Sequence, residues 1–130
     1  MANSGQLKQI KAGIEAWNRW REEHPDTEVI DLCGADLRGA NLANADLKDA
    51  KLSGANLAEA DLTQANLCEA NLSGADLRAA RLNGTNLGGV RLTGANLTDA
   101  DLNGANLADA ELSGVRLNYR NATIDLLALA

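Results

Sequence analysis

Leucine occupies every fifth position from Leu32 to Leu117 without an exception, eighteen leucines in eighteen registers. A period of five fits neither regular secondary structure. On an α-helix five residues advance about 500°, so the leucines would wander round the whole circumference. On a straight strand the side chains alternate, and successive leucines would point to opposite faces. Only a chain that bends once per five residues keeps every leucine inside. The residue two before each leucine is alanine in fourteen of the eighteen units. Two positions apart on a short extended segment, both side chains share one side.

A second period sets the number of bends in one coil. The residues two after leucine, taken at intervals of twenty, are Gly34, Gly54, Gly74, Gly94 and Gly114. No neighbouring column is as uniform, so the unit is four pentapeptides and the cross-section is square. These glycines are read as corner residues. Self-similarity at a fixed period marks a solenoid that buries its core between stacked coils.

Units such as Ala55-Asn56-Leu57-Ala58-Glu59 follow the pattern A(D/N)LXX, and the chain resembles the pentapeptide repeat family over residues 30–119. The resemblance implies an all-β solenoid: a right-handed quadrilateral β-helix with short parallel bridges on its faces. Eighteen pentapeptides at four to a coil give about 4.5 coils, roughly 22 Å of rod at the spacing of paired strands. Thr85, Val90 and Val115 depart from the inward alanine. Lys51, Arg81, Arg91, Glu111 and Arg116 depart from Asp or Asn.

The core is expected from Leu32, Leu52, Leu72, Leu92 and Leu112 with Ala55, Ala75 and Ala95, a large–small alternation that packs without voids. Thirteen of the eighteen residues before leucine are Asn or Asp. Their short side chains suit hydrogen bonds to nearby backbone amides at the corners.

The ends differ from the repeats. Leu7, Ile10, Ile14 and Trp17 are spaced as one helical stripe, so residues 4–23 are predicted to form an amphipathic helix. Asn3 and Gln6 fit a capping box, and Pro25 closes the segment. Residues 1–29 are thus a capping helix and lead-in that covers the open first coil; a helix offered to a partner is the rival reading. The helix's mixed polar face, Lys8, Lys11, Arg19 and Arg21 with Glu15, Glu22 and Glu23, argues against anionic lipid. Residues 120–130, with Ile124, Leu126, Leu127 and Leu129, are an apolar tail that caps the last coil or pairs end to end with a second copy. The chain is expected as a monomer or such a homodimer.

Chemistry is scarce. The single histidine, His24, lies outside the repeats. No Ser–His, Cys–His, glycine-rich phosphate loop or metal-ligand spacing is present, so no catalytic residue, metal or cofactor is expected. Cys33 and Cys68 stand in different columns and are read as free surface thiols. The net charge of −6 falls mostly on the repeats (seven basic and twelve acidic residues over 30–119), which disfavours direct nucleic-acid binding. The start lacks the charged and apolar run of a signal peptide, no stretch approaches a membrane span, and a cytoplasmic protein is expected.

Asp46 and Asp49 lie close on the outer wall, and the column Asp49, Glu69, Gly89, Asp109 forms a weak acidic strip. It reads first as a solvated face and second as a binding surface. The chain is therefore expected to be a non-catalytic interaction or scaffold module with a protein partner that its sequence does not name. An alternative is a DNA mimic acting on DNA gyrase, as in the family's quinolone-protection subgroup. A further alternative is regulatory binding through the N-terminal helix. The resemblance adds that such chains abound in cyanobacteria.

Overall fold

The computed structural model describes residues 2–25 and 28–118. Two helices, α1 (Ser4–Ala12) and α2 (Ile14–Glu23), precede a solenoid that occupies the rest. The solenoid has no extended strands among the described residues. Among those residues it is held by fourteen isolated parallel bridges, each joining a residue to the one twenty further on, from Asp31↔Lys51 to Asn96↔Arg116. One circuit is therefore twenty residues, with one bridge on each of four faces.

The local chemistry of one unit explains the bend. From Leu32 to Leu112 the carbonyl of each repeat leucine accepts the N–H three residues later at 2.9–3.2 Å, closing a β-turn. The residue two after leucine has φ between +56° and +75° in seventeen consecutive units, from Gly34 to Gly114. A positive φ confined to the third residue is the pattern of a type II turn. Asn or Asp before the leucine supports this turn: its Oδ1 accepts the N–H two residues on, as in Asn56 with Ala58 at 3.1 Å and Asn71 with Ser73 at 3.0 Å.

The glycine column lies at corners, and the same backbone recurs at the other three. All four corners share one left-handed backbone. Glycine supplies it at Gly34, Gly54, Gly74, Gly94 and Gly114, while Asn44, Asp49, Glu59, Gln64, Glu69, Ala79, Asp99 and Asp109 adopt the same conformation elsewhere. Glycine reaches it without the Cβ penalty, which is why it is enriched there, but the fold does not require it.

Between turns, ladder hydrogen bonds of 2.7–3.0 Å join the coils. For example, the Lys51 N–H donates to Ile30, its carbonyl accepts from Leu32, and the Ser53 carbonyl accepts from Gly34. Leu32 through Leu107 are buried, as are Ala55, Ala75 and Ala95. Toward the last coil burial falls: Leu112 packs only partly against the core and Leu117 is 46% exposed. Thr85 sits inward and fully buried where alanine is usual. Its hydroxyl donates to the Leu62 carbonyl at 2.7 Å, which satisfies a buried polar group.

The helical lead-in is corrected. The stripe Leu7, Ile10, Ile14, Trp17 predicts one helix over 4–23, whereas the chain breaks at Gly13, whose φ of +146° no helix accommodates. Ile10 and Trp17 are nonetheless buried in the core cluster, with Leu7, Ile14 and Trp20 packed partly against it. Asn3 caps α1 through its side chain, accepting the Gln6 N–H at 3.0 Å. The reciprocal half of a capping box is absent, because the Gln6 side chain is engaged with the first coil. The tail expected over 120–130 lies outside the described residues.

Candidate binding surfaces

In a stacked ladder the first coil lacks a predecessor, so its lower backbone groups need other partners. The helix pair supplies them on two of the four faces. On the first face, buried Gln6 accepts the Asp31 N–H at 2.8 Å and donates to the Val29 carbonyl at 2.9 Å, while the Asn3 N–H reaches the Asp31 carbonyl at 2.7 Å. On the fourth, Asn18 accepts the Asp46 N–H at 2.8 Å and donates to the Asn44 carbonyl at 2.9 Å. Trp17 Nε1 donates to the Asp46 carbonyl at 2.9 Å and Arg21 donates to that of Lys48.

Gln6, Asn18 and Arg21 are invisible to a hydrophobicity reading because they flank the apolar stripe and look like solvent-facing residues. The available signal was their position, one residue from Leu7, one from Trp17 and four from Trp17.

The remaining two faces carry a cleft. Ile10, Lys11, Gly13, Ile14, Glu15 and Asn18 form one wall, and residues 36–38 and 40–44 form the other, around ≈790 Å³. No candidate residue of the sequence reading other than Ile10 and Ile14 lines it. Its composition is mixed, with Leu37, Ala40 and Leu42 beneath Asp36 and Arg38.

The acidic candidates divide into two groups. Asp46 is drawn to the cap: its carboxylate lies 3.5 Å from Arg21 and accepts the Lys48 N–H at 3.2 Å. Asp49 borders a separate small depression with Arg21, Lys48, Pro25 and Glu28. Glu69 and Asp109 line a shallow cleft of ≈500 Å³ with Asn71, Gly89, Arg91 and Glu111. Glu69 leans across the corner of the next coil, where a Cβ on Gly89 would collide with its carboxylate. The side chain missing from Gly89 is therefore space that Glu69 fills. Glu111, absent from the sequence-based strip because it belongs to the adjoining column, pairs with Arg91 at 3.4 Å.

Four other carboxylates have pKa values held below the ordinary carboxylate value. The causes are the backbone N–H of Cys33 for Asp31, hydrogen bonds from Thr63 for Asp61, the Arg78 side chain for Asp76, and Asn83 with the Asn103 N–H for Asp101. The bonds from Cys33, Thr63 and the Asn103 N–H belong to the turns, whereas Arg78 makes a surface ion pair with Asp76 and Asn83 acts on Asp101 from the preceding coil. Among the described residues no group of three or more His, Cys, Asp or Glu could hold a metal ion. No helix among them is long and apolar enough to cross a membrane.

Bent five-residue units, parallel single-residue bridges at a spacing of twenty, and a leucine-filled square interior define a β-solenoid of repeat type. The Pentapeptide repeats family profile matches in eight copies over residues 30–54, 45–84, 55–94 and 80–118, and the chain belongs to the pentapeptide repeat family. Among solved structures it is similar to HetL, a pentapeptide repeat protein involved in heterocyst differentiation regulation from the cyanobacterium Nostoc sp. strain PCC 7120. The two are 46% identical with a TM-score of 0.66, over 66% of this chain and 40% of HetL. It is also similar to the pentapeptide repeat protein Rfr23 from the cyanobacterium Cyanothece 51142, at 38% identity and a TM-score of 0.71, over 73% of this chain and 65% of that one. The chain thus spans less than two thirds of either. QnrB1, a plasmid-mediated fluoroquinolone resistance protein, matches at 22% identity with a TM-score of 0.35, over 78% of this chain and 65% of QnrB1. That likeness carries no functional argument. No curated protein sequence matches.

Proposed function

We propose that the chain is a non-catalytic protein-binding scaffold and that its acidic cleft contacts the partner. The observation behind this reading is the convergence of Glu69, Asp109 and Glu111 on one cleft of a hydrogen-bonded wall. A ladder of this kind holds outward side chains at fixed spacing, so little order has to be imposed on binding. Three carboxylates against one arginine favour a partner surface that offers cationic side chains, which steers encounter more than it adds affinity. The similarity to HetL, a protein involved in a regulatory process, points the same way.

Gyrase mimicry is less well supported, because a DNA mimic needs a continuous acidic face. Here Arg91 sits inside the cleft beside Glu111, and Lys48 interrupts the wall below. Regulatory release of the N-terminal helices is disfavoured by the complete burial of Trp17.

The test is affinity capture from the native cell with immobilised protein, comparing wild type with Glu69→Lys/Asp109→Lys. Partners held by wild type and lost from the charge-reversed pair are expected. Equal capture by both would remove the cleft from the reading. Inhibition of gyrase supercoiling at micromolar protein would replace the reading with the alternative.

A further inference from the structure

The first coil is only half capped. Asp31 and Asp46 have their lower backbone groups bonded to the helices, whereas the corresponding groups on the two intervening faces have no partner among the described residues. These are the N–H and C=O of Asp36 with the C=O of Arg38, and the N–H and C=O of Asn41 with the C=O of Ala43. They open into the ≈790 Å³ cleft beside the break at Gly13.

What such a set of groups accepts is written in the rod itself. The triplet equivalent to that of Asp36 one coil on, the N–H and C=O of Asn56 with the C=O of Ala58, is met by the carbonyl of Ala35 and the N–H groups of Leu37 and Gly39. The acceptor and the first donor flank one bridging residue of extended backbone, and the second donor, Gly39 in the rod, comes from the turn that follows. On the first face the Gln6 carboxamide meets only the N–H of Asp31, its amide donating instead to Val29, and the Asp31 carbonyl is met by the Asn3 N–H. In the rod, the residues that supply the acceptor and the first donor point inward. At the open faces a guest's side chains at those positions would enter the space bounded by Ile10 and Ile14 on one side and Leu37, Ala40 and Leu42 on the other. That space takes a small residue followed two places later by an aliphatic one.

We propose that this cleft binds an extended segment of another protein, of pattern small–x–aliphatic, which adds its backbone to the face of Asp36 or Asn41 by parallel bridging. This is strand addition to an unfinished ladder end, with main-chain bonds giving affinity and two inward side chains giving selectivity. The site is distinct from the acidic cleft.

The experiment follows amide resonances and hydrogen exchange of the full-length isotope-labelled protein, titrated with the capped peptide Ala-Asn-Leu-Ser-Gly-Ala. In the free protein the Asp36 and Asn41 amides should exchange faster than those of Asn56 and Asp61, which are bonded in the next coil. At a peptide concentration about ten times its Kd, exchange at Asp36 or Asn41 should slow roughly tenfold, as mass action requires. The peptide N-methylated at its leucine, lacking the first donor, should produce no effect.

Ile14→Arg should also abolish the effect, and the N-methyl peptide tests the same point without altering the protein. Glu69→Lys/Asp109→Lys should leave the peptide response unchanged, which separates this site from the acidic one. Unperturbed Asp36 and Asn41 amides at saturating peptide, or an equal response to the N-methylated peptide, would overturn the proposal. So would slow exchange of both amides before peptide is added, which would mean that this chain's own residues already fill the cleft.

Discussion

Asn18 holds Asp46 in the place of a missing coil: its Oδ1 accepts the Asp46 N–H at 2.8 Å, a bond that in later coils is made by the carbonyl twenty-one residues earlier. The same amide donates to the Asn44 carbonyl, so one side chain makes two bonds to the first coil. Asn18→Leu removes both bonds and leaves backbone groups unsatisfied, with an expected loss of about 1–3 kcal/mol. Asn18→Asp keeps the acceptor but loses the donor, and should fall between the two. Urea denaturation with an unchanged m-value is the measurement; a leucine variant as stable as wild type would show that water replaces the cap.

Deleting residues 1–24 goes further, since it strips the cap from two faces and uncovers Ile30 and Leu32. The shortened chain should self-associate or unfold, read by light scattering and circular dichroism. If it remains monomeric with the same melting temperature, the helices are dispensable ornaments to the rod.

Leu72 is fully buried at a central register. Leu72→Asp places a carboxyl among leucines and alanines where none of its oxygens finds a donor, and the expected loss exceeds about 4 kcal/mol. The outward Ser73→Asp, one position along, should change stability by less than about 0.5 kcal/mol. Comparable melts for the two variants would refute the register.

Corner backbone gives a prediction of opposite sign. Ala79 holds φ +56° on the exposed surface, where Ala79→Gly should stabilise by about 0.5–1 kcal/mol through relief of strain, less glycine's greater entropy cost. At Gly74, φ +67°, a Cβ meets no atom within 4 Å, so crowding is not the issue. Gly74→Val should still cost about 1–2 kcal/mol because the left-handed conformation itself is unfavourable, the more so for a β-branched residue. Thermal melts of both variants decide; equal stability of Gly74→Val and wild type would remove backbone conformation as the cause.

Acid sensitivity follows from the turns. Asp31, Asp61, Asp76 and Asp101 have folded pKa values below their unfolded ones. Their contribution is complete above the unfolded value, about 3.9, and is lost as pH falls through the lower folded values. All four are largely solvated, so each share is small. Asn fills the Asp61 position in other units and accepts the same bond, so Asp61→Asn should preserve neutral stability and flatten the loss in acid. A steeper acid transition in that variant would contradict the assignment.

The square coil could be read in the residues because two periods, five and twenty, coincide with what the backbone does. Helix ends and corners were less readable. A single glycine inside a helical stripe costs only about 1 kcal/mol, so Gly13 is a weak signal of the break that the packing of both halves on the coil accompanies. Glu59, Gln64 and Ala79 gave no sign of a left-handed backbone because nothing about those residue types demands it. Glu111 escaped notice as a neighbour of Glu69 and Asp109, since a column count follows one line along the rod while a cleft spans two.

Each bridge joins residues twenty apart, so the rod has a geometrical arithmetic of its own. Losing or gaining one pentapeptide would leave every leucine inside, yet turn all that follows by a quarter of a revolution. With the change between them, Glu69 and Asp109 would look out from different walls. A lineage that keeps such a surface can change length only by whole coils, whereas one that varies by single units is free to deal the same side chains onto new faces.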